Sequence, residues 1–382
     1  MNDTNETYGA GTLPRGIRSR VIDNINGLSM HVLEAGDAAR PCVLLLHGFP
    51  ELAYSWRKIM LPLADAGFHI VAPDQRGYGR TTGWDAGYDG DPDSFRILNL
   101  VRDTLGLTSS LGHRSVAAVI GHDFGSPVAA NCALIRPDVF RKVALMSAPY
   151  AGPPNLFASG SGFKDPRASP SRGAIFDDLE RLDRPRKHYQ RYYQSREANA
   201  NMWRAPQGLH AFLRGYYHVK SADWKANRPF RLAAFTANEL ARMPTYYIME
   251  RDKGMAETAA DEMPSAAEIA ACRWLTKDEL SVYAAEFGRT GFQGGLQWYR
   301  CTDSKRQLAE LEIFSGRTID VPACFIAGKS DWGIQQFPGA FERMPEVCTQ
   351  WQGAHLIEGA GHWGQQEQPE EVARLLLDFL RG

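Results

Sequence analysis

The stretch AVIGHDFG at residues 118–125 decides the fold, because a short apolar run passes directly into a glycine-bounded turn. The apolar segment Ser126–Ile135 follows at once and predicts a helix. A sharp turn from strand to helix strains the backbone at its tip, and this is tolerated when the residues two positions away are small. Gly121 and Gly125 meet that requirement around Asp123. The sequence therefore predicts an elbow with Asp123 at its tip; the plainer alternative is an ordinary turn whose Asp caps the helix.

Working outward, short apolar runs alternate with helical patterns on both sides of this elbow. The predicted strands are Ser29–Glu34, Cys42–Leu46, His69–Pro73, Ser115–Ile120, Lys142–Met146, Val321–Ala327 and His355–Glu358. The predicted helices are Ser94–Leu111, Ser126–Ile135 and Pro369–Leu380. Nearly all-apolar strands alternating with helices are typical of a sheet covered on both faces. We expect an α/β protein with a doubly wound, mainly parallel sheet.

The chain divides into a core and an insertion. Residues 1–16 are polar and predict a loosely ordered arm. The βα pattern occupies 17–150 and resumes at 318–382, which predicts one discontinuous core. Between them, 151–317 opens with a Gly, Pro and Ser-rich linker at 151–162 and then carries helical patterns without a convincing run of strands. We interpret 151–317 as a helical cap with its linkers.

The composition argues against several classes of protein, among them nucleic-acid binders and membrane proteins. Among 382 residues, 43 Lys and Arg stand against 44 Asp and Glu, so no overall field favours nucleic acid or an acidic membrane. The start lacks a signal-peptide pattern, and no apolar run approaches the roughly 20 residues that span a bilayer. No CxxC pair occurs among the scattered cysteines, which favours a reduced, cytoplasmic setting without bound zinc. The six are Cys42, Cys132, Cys272, Cys301, Cys324 and Cys348.

An Asp nucleophile implies a particular chemistry. A carboxylate is already ionised near neutral pH and suits displacement at sp3 carbon, where a serine alkoxide would attack a carbonyl. Attack by Asp123 gives an alkyl ester on the enzyme. Water must then cleave that ester at its own carbonyl carbon, so the site needs a general base and an oxyanion hole.

The sequence offers candidates for both. His362, in the loop GAGHW after the last predicted strand, is the candidate base, against the alternative of a structural buried histidine. Asp331 follows the strand at 321–327 and is the candidate that orients the imidazole, with Asp320 in reserve. The order nucleophile, acid, histidine supports this set. The backbone N–H groups of Phe124 and Phe49 are the candidate oxyanion donors, and Phe49–Pro50 is a candidate cis bond.

From residue 29 to the C-terminus the chain resembles the epoxide hydrolase branch of the α/β-hydrolase fold family. The motifs HGFPE (47–51), DQRGYGRT (74–81), GHDFG (121–125) and GAGHW (359–363) carry the resemblance, with HYQRYYQ (188–194) and GLQWYR (295–300) in the cap. It implies opening of an epoxide to a vicinal diol without cofactor or metal. It also implies that Tyr189 and Tyr299 donate hydrogen bonds to the epoxide oxygen. Two departures are Phe124, where Trp is frequent, and Cys301, where Asn is frequent.

Three other functions compete with this one. A haloalkane dehalogenase would need N–H donors for a halide, and Phe124 and Phe49 offer none from their side chains. A fluoroacetate dehalogenase would call for Arg after the nucleophile and an Arg pair in the preceding helix, but the helix pairs Arg96 with Asn99. A non-catalytic binder of hydrolase fold would not need the full set of candidate residues.

The partners follow from the same residues. The basic stretch 181–196 contains acids as well, so we interpret it as a solvated helix face rather than a nucleic-acid site. The expected partners are water and a small apolar epoxide, and nothing in the sequence indicates an oligomeric state. The predicted pocket lining is aromatic: Phe49, Phe124, Tyr150, Trp332 and Trp363.

Overall fold

The computed structural model describes Tyr8, residues 11–155 and residues 172–382. Most of the predicted arm and parts of the predicted linker and cap therefore lie outside the described residues. Tyr8 itself is buried, and its hydroxyl lies 2.6 and 2.7 Å from the two carboxylate oxygens of Asp74. Thr12, whose carbonyl accepts from the Tyr54 hydroxyl at 3.3 Å, and Leu13, which packs against the core, contact it as well. The looseness of the arm as a whole stays a prediction.

Ten strands are present among the described residues. They are β1 (Arg18–Ile25), β2 (Leu28–Ala35), β3 (Cys42–Leu46), β4 (His69–Pro73), β5 (Ala118–His122), β6 (Val143–Met146), β7 (Arg186–His188), β8 (Ile248–Glu250), β9 (Ile319–Gly328) and β10 (Cys348–Ile357). Eight of them form one sheet in the order β1-β2-β4-β3-β5-β6-β9-β10. Only β2 runs against the others, so the predicted mainly parallel sheet is confirmed.

The described part of the chain also contains sixteen α-helices. They are α1 (Arg57–Asp65), α2 (Ile97–Ser110), α3 (Gly125–Ile135), α4 (Arg172–Glu180), α5 (Tyr189–Tyr193), α6 (Glu197–Trp203), α7 (Leu209–Lys220), α8 (Ala237–Leu240), α9 (Met255–Asp261), α10 (Ala266–Ala271), α11 (Lys277–Thr290), α12 (Gln293–Thr302), α13 (Lys305–Glu312), α14 (Met344–Val347), α15 (Gly364–Glu367) and α16 (Pro369–Arg381). In the core, α2 packs on α3 and α1 packs on α16. No helix of the described chain is long and apolar enough to cross a membrane.

Two strand expectations need correction. The edge strand β1 was not predicted, because its residues RSRVIDNI are polar and mostly exposed and show no apolar run. The insertion was expected to lack strands, yet β7 and β8 pair there as a short antiparallel ribbon. Each is three residues long, which is too short for an alternating pattern to be detected.

The topology brings the candidate residues to one edge of the sheet. Because the carboxyl ends of parallel strands meet at a common edge, the loops after β3, β5, β6, β9 and β10 lie side by side. Ten of the helices, α4 to α13, come between β6 and β9, in the segment predicted as the cap. Two of these, α5 and α12, supply residues to the same region.

Candidate active site

The elbow forms as the sequence predicts. Asp123 follows β5 directly and has a backbone φ of +50°, in the left-handed region that costs a non-glycine residue about 1–2 kcal/mol. A Cβ at Gly121 would lie 2.1 Å from the carbonyl oxygen of Gly125, and one at Gly125 would lie 2.2 Å from that of Leu46. Only glycine fits at these two places, so the tight turn dictates both residues.

The carboxylate at the tip is held in its charged form. Phe49 donates its backbone N–H to Asp123 Oδ1 at 2.8 Å, across the cis Phe49–Pro50 loop that follows β3. Burial raises the pKa of Asp123, but His362, Lys220 and His122 outweigh it and lower that pKa below the usual range. Asp123 is therefore an anion near neutral pH, as a carboxylate nucleophile must be.

His362 is buried beside this carboxylate. Its Nε2 lies 3.3 Å from Asp123 Oδ2, close enough for an ion pair but without hydrogen-bond geometry. Its backbone N–H donates to the carbonyl of Lys220 at 2.8 Å, which fixes the loop after β10. The imidazole thus faces the carboxyl group with one nitrogen unengaged by the described residues, an arrangement that suits a base directed at a water molecule.

The other imidazole nitrogen meets Asp331 and one residue that the sequence did not single out. His362 Nδ1 lies 3.1 Å from Asp331 Oδ1 and 2.7 Å from the hydroxyl of Ser147. Ser147 also donates to the second oxygen of Asp331, and Gly333 donates its N–H to the first at 2.7 Å. Burial raises the pKa of Asp331, but His362 and these donors lower it overall.

The reserve candidate is excluded by position. Asp320 is exposed near the amino end of β9, where it bonds Thr318 and Thr349, whereas Asp331 follows the carboxyl end of that strand. The two ends of a ten-residue strand lie on opposite edges of the sheet. Asp320 therefore cannot orient His362.

Two further buried groups support the site without having been predicted. The Nδ1 atom of His122 lies 2.6 Å from Glu51 Oε2. Its Nε2 atom lies 2.7 Å from the carbonyl oxygen of His362. Burial lowers the pKa of His122, but Glu51 and Asp123 raise it overall to about 9, so both ring nitrogens are donors. The Lys220 ammonium lies 5.2–6.0 Å from five aromatic ring centres. His122 and Glu51 lie in the motifs GHDFG and HGFPE, but the sequence alone assigned them no role, because their contact joins distant segments. No motif marks Lys220.

Tyr189 and Tyr299 reach the site from two helices of the insertion. Tyr189 begins α5, and its hydroxyl donates to Gln336 Oε1 at 3.3 Å and accepts from Gln190 Nε2 at 3.1 Å. Tyr299, in α12, packs edge-on against Phe124, with 5.2 Å between ring centres, and its ring centre lies 6.1 Å from that of Tyr189. Burial and then Asp123 raise the pKa of both phenols, so both keep their protons at neutral pH.

One cavity of about 360 Å³ joins these groups. Asp123, Tyr189 and Tyr299 all line it, together with Phe124 and Tyr150 from the predicted aromatic lining. The other three predicted lining residues do not, because their rings pack behind or away from its wall. Phe49 contacts Tyr193 and Phe292, Trp332 contacts Phe230, and Trp363 is buried with its N–H donating to Tyr217.

Comparison with known proteins agrees with this arrangement. The family model described as alpha/beta hydrolase fold matches residues 41–369. Epoxide hydrolase B of Mycobacterium tuberculosis is 35% identical over 367 residues, which are 94% of this chain and 97% of that protein. An epoxide hydrolase structure from an endophytic Streptomyces superposes with a TM-score of 0.76 at 33% identity, covering 97% of this chain and 96% of that one. The structure of epoxide hydrolase A from Mycobacterium thermoresistibile superposes with a TM-score of 0.73 at 34% identity, covering 96% of this chain and 98% of that one. The chain therefore belongs to the α/β-hydrolase fold family, within its epoxide hydrolase branch.

Proposed function

We propose that the protein hydrolyses epoxides to vicinal diols through an alkyl ester on Asp123. One observation carries this proposal: an ionised carboxylate and two protonated phenols line a single cavity. A carboxylate supplies the nucleophile, and the phenols supply the acid that the opening ring requires. The relatives named above support the same reaction.

In the first half of the reaction, Asp123 attacks one epoxide carbon from the core side. The ring C–O bond breaks, and the oxygen takes up negative charge. Tyr189 and Tyr299 hydrogen-bond that oxygen from the cap side, and one of them transfers its proton. A phenol suits this task because it is neutral at pH 7 yet far more acidic than an alcohol.

In the second half, His362 takes a proton from water, and the resulting hydroxide adds to the ester carbon of Asp123. The Phe49 N–H, which already bonds Oδ1, stabilises the oxyanion. Phe124, whose N–H is among the first-turn donors that a helix leaves unpaired, is the proposed second donor. Collapse releases the diol, restores the carboxylate and returns the proton to the phenolate. Asp331 orients the imidazole throughout.

A dehalogenase with the same nucleophile is the alternative, and two observations disfavour it. A leaving halide needs N–H donors, but the residue after Asp123 is Phe124, and Phe49 contributes its amide to the carboxylate. The amide nitrogen of Gln336, another residue lining the cavity, donates within the protein, to Gly333. Haloalkanes therefore serve as negative controls in the assay.

We propose that the substrate is a small epoxide with an apolar body. Aromatic rings and prolines surround the carboxylate, and 360 Å³ accommodates a small organic molecule. Arg172 and three glutamines also line the cavity and offer polar contacts to a substituent. Turnover of aryl, alkyl and fatty-acid epoxides tests the reaction class. Diol formation from at least one of these epoxides supports the proposal, and turnover of haloalkanes alone contradicts it.

The domain boundaries and setting are also proposals. We divide the chain into a core of 17–150 and 318–382 and a cap of 151–317. The basic residues at 181–196 largely pair with acids, as Arg191 does with Asp177 at 3.1 Å, which supports a solvated face rather than a nucleic-acid site. All six cysteines are free thiols, which supports a cytoplasmic location. Cell fractionation tests that location.

A further inference from the structure

Three side chains that are distant in sequence meet at the amino end of the central strands. Cys42 begins β3, His69 begins β4 beside it in parallel register, and His113 lies in the loop between α2 and β5. One ligand atom from each residue lies within 4.8 Å of those of the other two. No CxxC spacing marks this group, because strand pairing rather than sequence brings it together.

The separation of the two histidines matches that of ligands on one metal ion. His69 Nδ1 and His113 Nε2 share a hydrogen bond and lie 3.3 Å apart. Tetrahedral zinc holds its nitrogen ligands at about 2.0–2.1 Å, which places two of them about 3.3 Å from each other. One thiolate and two imidazoles form a donor set that suits Zn²⁺ and Co²⁺ and does not suit Mg²⁺ or Ca²⁺.

A carboxylate already orients one of these ligands. His69 Nε2 lies 2.6 Å from Glu34 Oε1, and Arg20 donates to Glu34 Oε2 at 2.7 Å. With Nε2 bonded to the carboxylate, Nδ1 is the ring atom that faces His113. A carboxylate behind the ligating imidazole is the usual arrangement at protein metal sites.

The exposure of the three side chains determines how an ion reaches this group. Cys42 and His69 are each 1% exposed, whereas His113 is partly exposed. An ion can therefore enter past His113 and keep solvent as its fourth ligand. From the amino end of β3, where Cys42 lies, the strand runs to the loop that carries Phe49, so the cluster lies at the opposite edge of the sheet from Asp123.

We propose that Cys42, His69 and His113 form a binding site for a divalent transition-metal ion such as Zn²⁺, separate from the active site. Binding joins the ion to Cys42 Sγ and to one nitrogen of each histidine, and the thiol proton leaves to solvent. The ion ties β3, β4 and the loop before β5 together. Its role is thus structural, and the site is independent of the proposed hydrolysis.

Cobalt titration of the full-length, metal-free protein tests the proposal, since Co²⁺ bound to a thiolate gives a near-ultraviolet charge-transfer band. We expect that band to saturate at one equivalent, and excess Zn²⁺ to abolish it. Cys42→Ala should remove the band. His113 is partly exposed and lies outside the strands, so His113→Asn should leave the strands intact. This variant should weaken Co²⁺ binding about tenfold or more.

Two variants control for adventitious binding. Cys272→Ala removes the cysteine that is not fully buried, and His355→Ala removes an exposed histidine, so both should titrate like the wild type. Absence of a thiolate band in the wild type overturns the proposal. So does a band that survives in Cys42→Ala, or Co²⁺ affinity that is unchanged in His113→Asn.

Discussion

The core side and the cap side of the cavity differ in the charge of their functional groups and in the interactions that position them. On the core side, Asp123 and Asp331 are charged and follow the carboxyl ends of strands, where hydrogen bonds fix each carboxylate. On the cap side, Tyr189 and Tyr299 are neutral and are placed mainly by packing of aromatic rings. The core side thus supplies carboxylates of fixed position and charge, whereas the cap supplies two neutral phenols. Changes in the core should therefore abolish a step, and single changes in the cap should only slow one.

The largest effect is expected from removing the nucleophile. Asp123→Ala leaves the reaction without an attacking group, and kcat should fall on the order of 10⁴–10⁶-fold, the scale seen when a nucleophile is lost. Steady-state diol formation measures this, with circular dichroism to establish that the variant is folded. Substantial residual turnover would mean that water attacks the epoxide directly.

Next in size is the paired change in the cap. Tyr189→Phe or Tyr299→Phe alone should lose about 1–3 kcal/mol of transition-state stabilisation, the scale of one hydrogen bond to developing charge. The double variant should form no measurable alkyl-enzyme ester, because the leaving alkoxide then has no acid. Rapid-quench measurement of alkylation decides this.

Tyr193→Phe is the matched control, since this buried phenol donates to Tyr216 and does not line the cavity. It should alkylate at nearly the wild-type rate. A double variant of Tyr189 and Tyr299 that alkylates as fast as the wild type would remove both residues from the mechanism.

A smaller effect is expected at Ser147. Its hydroxyl bonds both His362 Nδ1 and Asp331, so Ser147→Ala removes one constraint on the imidazole. Loss of one such bond is worth about 1 kcal/mol, and ester hydrolysis should slow several-fold. Alkylation, which needs no base, should keep its rate in single-turnover assays. Equal slowing of both steps would show that Ser147 only supports the fold.

Opposite effects on the pH dependence of stability are expected from two histidines. The pKa of core His122 is raised to about 9, mainly by Glu51 against burial, so its contribution is complete below its unfolded pKa of 6.5 and is lost as pH rises through 9. Burial, with Arg172, lowers the pKa of cap His188 to about 3, so its contribution is complete above 6.5 and is lost as pH falls through 3.

Urea unfolding across pH measures both contributions. The stability difference between wild type and His122→Gln should shrink toward alkaline pH, and that between wild type and His188→Gln should shrink toward acid. The same trend in both variants would contradict the contrast between core and cap.

The same contrast explains what the sequence could predict. Core strands such as β3 and β5 are short apolar runs followed by glycine-containing turns, so Asp123 could be placed from local pattern. His362 was placed by its glycine-containing loop together with the order nucleophile, acid, histidine. Tyr189 and Tyr299 are separated by more than a hundred residues, and only the family resemblance paired them. Their meeting depends on how α5 and α12 pack.

Residues whose roles arise from tertiary contact alone could not be predicted. Ser147 is an ordinary serine after β6 until the fold places it on His362 and Asp331. Trp363, which follows His362, was expected in the cavity, but its ring packs beside Tyr217. Adjacency in sequence indicates where a backbone runs and does not indicate which way a side chain points.

The central claim is that Asp123 itself becomes esterified, and one isotope experiment tests it directly. Wild-type enzyme in excess over epoxide completes a single turnover in ¹⁸O-labelled water, and the peptide that contains Asp123 is then weighed by mass spectrometry. Since hydroxide adds to the ester carbonyl, one labelled oxygen should remain in the Asp123 carboxylate while the diol takes its new oxygen from the enzyme. Label found only in the diol would contradict the account, because it would mean that water attacked the epoxide and Asp123 was never esterified.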